Sequence, residues 1–174
     1  MKAFFDTSVL VYALDSGDAR KQAIAQETLH RHSRDRTVVL STQVLMETFN
    51  ILTRKKGVSP ANALATVQLF ATRTVVHNTS EATLRALALS VRHQLSPWDA
   101  AIVQAAQDAG CDVLLSEDLQ AGQRLGTLEV VNPFAVGAHE ITRGGAEPAA
   151  TPNRVPTHAP TRASARSRRS PKQR

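Results

Sequence analysis

Short apolar runs alternate with longer stretches in which apolar residues recur at helical spacing. Ala3-Phe4-Phe5 forms a strand that stops at the charge of Asp6, and Thr37-Val38-Val39-Leu40 forms a second between charged residues and Ser41-Thr42. Thr74-Val75-Val76, Val113-Leu114-Leu115 and Leu128-Glu129-Val130-Val131 supply three more. Between them lie helical patterns over about 19–32, 44–56, 60–70, 81–93 and 96–110, several with clear punctuation. Pro60 and Pro97 fit first helical positions, and Gly57 and Gly110 fit stops. Five strands separated by helices predict right-handed crossovers and a central parallel sheet in a three-layer α/β/α sandwich. In such open sheets, sites form beyond the carboxyl ends of the strands.

Charge divides the chain. Its 174 residues carry a formal charge of +6. Residues 143–174 hold eight Arg or Lys against the single acid Glu147, whereas residues 1–142 hold 13 basic and 14 acidic side chains. The segment also contains five of the eight prolines, and Val155 is its one large aliphatic residue. Such a composition cannot bury enough apolar surface to offset its ordering entropy. The expected organisation is therefore one folded domain over 1–138 and a disordered Arg/Pro-rich tail over 139–174. No apolar run approaches the roughly 18–20 residues that cross a bilayer, and Asp6 comes too early for a secretory signal. One cysteine, Cys111, excludes an internal disulfide framework and a Cys-based metal site. A cytoplasmic location is expected, with no membrane partner.

The candidate chemistry is acidic. Asp6 follows the first strand, and Asp118 lies three residues beyond Leu115, so both belong at the same sheet edge. Asp99 shares a helical face with Ile102, Val103 and Ala106, opposite Gln104, Gln107 and Asp108. Glu47 stands at the border of the apolar face of the helix after the second strand. Each acid also has a plain structural explanation: Asp6 and Ser116 as caps, Ser96-Pro97-Trp98-Asp99 as a helix start, Glu47 as a solvated rim residue. Capping does not explain why Asp99 faces inward. Clustered carboxylates repel and take up protons unless a cation compensates them. An oxygen-rich pocket suits hard Mg²⁺ or Mn²⁺, ions that carry phosphoryl chemistry. His30, His32, His77 and His93 lack paired spacing and are expected at surfaces or helix ends.

At these residues the chain resembles the PIN-domain nucleases, specifically VapC-type toxins of toxin–antitoxin pairs. Phe4 to Ala13 is similar to their first motif and Ser41 to Asn50, with Glu47, to the second. Leu95 to Ile102, with Asp99, matches the third, and Leu114 to Leu119, with Asp118, the fourth. The resemblance covers about residues 2–135. It implies a Mg²⁺- or Mn²⁺-dependent endoribonuclease, a cognate antitoxin that inserts into the acidic groove, and a homodimer. It makes Asp6, Glu47, Asp99 and Asp118 metal ligands and catalytic residues, with Thr7, Ser8 and Ser116 as neighbours that hydrogen-bond them. Glu117 departs from the pattern, which places the acid two residues after the hydroxyl. Ser8 stands where Asn is frequent, and the basic tail lies outside the pattern. A haloacid dehalogenase-type phosphatase would need an acid at Ser8. A receiver-like domain would need Asp where His77-Asn78 stands. A catalytically silent RNA- or antitoxin-binding module is the remaining alternative.

Overall fold

The computed structural model describes residues 1–135. The basic segment expected over 139–174 lies outside the described residues. Twelve elements follow one another: β1 (Ala3–Phe5), α1 (Thr7–Leu14), α2 (Ala19–Arg34), β2 (Val38–Ser41), α3 (Thr42–Arg54), α4 (Pro60–Phe70), β3 (Thr74–Val76), α5 (Ser80–His93), α6 (Pro97–Asp108), β4 (Val113–Leu115), β5 (Arg124–Leu125) and β6 (Leu128–Val131). The sheet order is β3-β2-β1-β4-β6-β5. The first five in that order pair in parallel, with Phe4 opposite Val39 on one side and Leu114 on the other. The expected α/β sandwich is therefore present, with one addition. β5 pairs antiparallel with β6 and makes a sixth, edge strand.

The apolar runs of β1, β2 and β4 are buried throughout. That is what strands covered by helices on both faces require. From β1 the chain moves one way to β2 and β3, then returns across β1 to β4. Right-handed crossovers put α1–α4 on one face and α5–α6 on the other, in keeping with the packing of α1 on α2 and α3, α3 on α4, and α5 on α6. The reversal of strand order falls between β1 and β4. A crevice opens there beyond their carboxyl ends.

Apolar periodicity predicts no helix over Thr7–Leu14, yet the chain forms one there. Val9 and Val11 are β-favouring residues, and the run of apolar positions shows no helical period. The Asp6 side chain instead accepts the Thr7 N–H at 2.6 Å and caps a helix buried along most of its length. Tertiary burial outweighs propensity here. The same style of cap recurs: Asp18, Ser41, Ser59, Thr79 and Ser96 begin the other five helices. Each is worth about 1 kcal/mol against alanine. Gly110, at φ +62°, follows α6 in the left-handed region and closes that helix as expected. Among the described residues no helix is long and apolar enough to cross a membrane.

Candidate active site

The crevice at the strand-order reversal is a cleft of about 540 Å³, and Asp6, Glu47, Asp99 and Asp118 all line it. Asp6 arrives there because β1 ends one residue earlier, and its N–H is held by the Leu115 carbonyl at 3.0 Å. Ser116 follows β4 directly and is fully buried. Its hydroxyl donates to Asp6 Oδ2 at 2.7 Å and accepts the Asp118 N–H at 3.1 Å. One side chain thus joins the acid after β1 to the acid after β4.

The other two acids come from helices that start at the same edge. Glu47 lies in the second turn of α3, where Thr7 donates to Oε2 at 2.8 Å and Gln43 to Oε1 at 3.0 Å. Asp99 is the third residue of α6 and exchanges hydrogen bonds with Ser96, whose hydroxyl donates to Oδ2 at 2.7 Å. That is a reciprocal capping arrangement. Gln43 also donates to the Trp98 carbonyl at 3.4 Å, tying the start of α6 to α3. Ser8 donates to Asp6 Oδ2 at 3.4 Å, a long contact. Glu117 lines the cleft as well, but Lys21 grips its carboxylate.

Burial is uneven. Asp6 is 5% exposed, Glu47 and Asp99 are half-buried, and Asp118 is the most open of the four. Burial pushes the Asp6 carboxyl up to about 6. The Ser116 hydroxyl and the Thr7 N–H oppose the rise, while Asp118 and Glu47 add to it by charge repulsion. Partial desolvation also raises the Asp118 carboxyl, helped by Glu117 and Asp99 and opposed by Lys21. The carboxylates therefore feel one another across the cleft.

Among the described residues, no three His, Cys, Asp or Glu side chains come close enough to hold one ion between them. The donor set still fits a hard divalent ion in kind. Every donor is oxygen, the buried Asp6 carries a charge that burial penalises, and Mg²⁺ usually takes only one or two carboxylates directly and keeps several waters.

Sequence reasoning overlooked the cleft's other lining. Lys55 and Lys56 follow α3 and reach it, as does Trp98, which is 69% exposed. The adjacent lysines past a helix end and a lone tryptophan beside a candidate acid were the available signals. Two further polar side chains, His32 and Gln104, are buried. His32, at the end of α2, packs inside against the Phe5 ring and contacts Thr37 at 2.8 Å, and burial lowers its pKa. Gln104 is buried as well, because α5 covers that side of α6.

No curated protein matches the chain. Among solved structures it is similar to the Mycobacterium tuberculosis toxin VapC20, described as cleaving the sarcin–ricin loop, at 28% identity and a TM-score of 0.54. That match covers 67% of this chain and 92% of that one. The fold is also similar to a toxin–antitoxin complex from Klebsiella pneumoniae, at 21% identity and TM-score 0.56 over 76% of this chain and 98% of that one. VapBC2 from Rickettsia felis, bound to promoter DNA, is similar at 17% identity and TM-score 0.55 over 75% and 97%. The family model for the PIN domain matches residues 3–123, a span that takes in both sides of the strand-order reversal and all four cleft acids. The chain belongs to the PIN-domain family.

Proposed function

We propose that this protein is a divalent-metal-dependent endoribonuclease, the toxin of a toxin–antitoxin pair, with Asp6, Glu47, Asp99 and Asp118 as its metal-holding acids. The observation that carries the reading is the convergence of these four carboxylates on one cleft at the strand-order reversal. The similarity to VapC20 supports RNA as the substrate, and the toxin–antitoxin complexes among the similar folds support an antitoxin partner.

A Mg²⁺ or Mn²⁺ ion bound there supplies Lewis-acid chemistry, lowering the pKa of water and offsetting phosphate charge. The chain's own residues hold that chemistry in place. Ser116 and the Thr7 N–H fix both oxygens of Asp6, Thr7 and Gln43 fix those of Glu47, and Ser96 fixes one of Asp99. Thr7, Ser8 and Ser116 thus act by orienting acids. Water attacks the phosphodiester in line, the bond to the 3′ oxygen breaks, and the products carry a 5′-phosphate and a 3′-hydroxyl. Among the described residues no histidine lines the cleft, so the proton goes to solvent or a carboxylate.

The protein is expected to work in the cytoplasm as a homodimer. Leu64 and Leu69 of α4 support the dimer, being 50% and 61% exposed on a helix whose monomer core contacts run through Ala63 and Phe70. The test is cleavage of mixed RNA by purified full-length protein in Mn²⁺, Mg²⁺ and EDTA. Cleavage that EDTA stops and either metal restores is the expected result. RNA binding without cleavage would identify a silent binding module, and cleavage in EDTA would remove the metal mechanism.

A further inference from the structure

The acids account for metal and phosphate chemistry but give no reason for a large apolar ring beside them. Trp98 is the second residue of α6, immediately before Asp99. Among the exposed large apolar side chains of the described residues, it alone lines the acidic cleft. Its backbone is fixed, because its carbonyl accepts from the Gln43 amide that also holds Glu47. The indole therefore projects from a backbone anchored beside Asp99 and near Glu47, with most of its surface open.

The far end of the cleft is cationic. Lys55 caps the end of α3, and its ammonium has no side-chain partner among the described residues, whereas Lys56 is paired with Asp15. Gln43 and Lys55 are 12 residues apart along α3, about 18 Å at 1.5 Å per residue. A strand lying along α3 runs from Gln43, which holds the Trp98 carbonyl, past the Glu47 carboxylate to the Lys55 ammonium. An aromatic face takes the flat side of any nucleobase, and a lysine takes phosphate.

We infer that Trp98 is the substrate-positioning residue on which an unpaired RNA base stacks, with Lys55 holding the backbone beyond the acids. This rests on the ribonuclease reading for the identity of the strand. Bases inside a duplex cannot reach the indole, so the cleft takes single-stranded or looped-out nucleotides. Lining the cleft sets Trp98 apart from the other exposed apolar side chains. The exposed apolar residues Leu84, Leu87 and Val91 lie together on α5 and outside the cleft lining.

Trp98 is the only tryptophan in the chain, so its fluorescence reports this one position. Full-length protein is titrated with a short single-stranded RNA in Ca²⁺, with binding measured independently by polarisation of a labelled strand. Three comparisons accompany it: a blunt duplex, an RNA lacking bases at its central nucleotides, and the variants Trp98→Leu and Trp98→Phe. Stacking predicts quenching by the single strand and none by the duplex or the abasic RNA. Trp98→Leu should weaken binding about 5- to 150-fold, the value of one stacked base, and Trp98→Phe should recover most of it. Saturable binding without quenching, or equal quenching by abasic RNA, overturns the inference. So does an emission maximum that shifts with protein concentration alone, which would bury Trp98 between copies. The binding readout does not require cleavage. Metal-dependent cleavage with an unquenched indole removes Trp98 only, and quenching without cleavage in Mg²⁺ or Mn²⁺ removes the nuclease only.

Discussion

Replacing Asp6 by Asn should destroy activity and stabilise the metal-free fold. Asp6 is 5% exposed, and its carboxyl rises from 3.8 to about 6, first through burial. The folded chain therefore holds this proton more tightly than the unfolded chain does. The contribution of Asp6 to stability is complete below about pH 4 and falls as pH rises to about 6. Two pH units correspond to about 3 kcal/mol, fully lost at neutral pH. Asparagine keeps an oxygen for the Thr7 N–H and places an amide near Ser116 without burying a charge. Denaturant unfolding in EDTA should find Asp6→Asn about 1–3 kcal/mol more stable than the parent at pH 7.5, and under about 1 kcal/mol at pH 4. A variant less stable than the parent at pH 7.5, or an equal gain at both pH values, would refute the reasoning. Added Mg²⁺ should raise the parent's midpoint and leave the variant's unchanged, because only the parent gains by binding in the folded state.

Three further outcomes follow from the same geometry. Ser116→Ala removes a hydroxyl donor to a buried carboxylate, an interaction worth about 1.5–3 kcal/mol, so carboxyl NMR of metal-free protein should find the Asp6 midpoint raised by about 1–2 pH units. An unmoved midpoint would discount that hydrogen bond. Glu47→Gln and Asp99→Asn, at half-buried positions where the amide oxygen keeps the Gln43 or Ser96 bond and the Thr7 hydroxyl can turn to accept from the new amide N–H, should lower metal-dependent cleavage by more than about 100-fold, beyond what outer-shell partners alone cost. Their unfolding midpoints should stay within about 0.5 kcal/mol of the parent, as surface substitutions do. Deleting residues 143–174 should flatten the salt dependence of RNA binding by about 0.7 in log–log slope for each phosphate that the segment neutralises, and an unchanged slope would dismiss a binding role for it.

Which parts of the molecule could be read from the chain follows from how local their causes are. β1, β2 and β4 are buried apolar runs with clear boundaries, and α4 and α6 begin with Ser-Pro; both signals sit in a few consecutive residues. Helix α1 was illegible because Thr7–Leu14 has a strand-like composition, and its helix depends on burial by elements far away in sequence. β5 is two residues long, too short for any period. Asp6 and Asp118 were placed at one edge because each follows a strand end, a relation that sequence order carries. Trp98 and Lys55 became visible only once the start of α6 met α3 at the cleft, since nothing in either local pattern relates residue 55 to residue 98. Gln104 was misjudged for a similar reason: helical periodicity identifies faces, but only the packing of α5 decides which polar residue is covered.

The rivalry between capping and chemistry, undecided in the sequence, dissolves in the hydrogen bonds. Asp6 caps α1 and lines the cleft with the same carboxylate, while Ser96 caps α6 and donates to Asp99. Ser116 accepts from the backbone after β4 and donates to Asp6. Helix N-termini carry partial positive charge, which favours anions there by several tenths of a kcal/mol. The fold uses this to bring carboxylates into one cleft without opposing lysines at each of them. The helix-end stabilisation is small beside the ~3 kcal/mol that burial and repulsion impose on Asp6. The remaining imbalance is the physical basis of the cation affinity proposed for the cleft, and it is concentrated at Asp6. That acid has both oxygens fixed and is the least accessible of the four to water, so its charge has the most to gain from a bound ion.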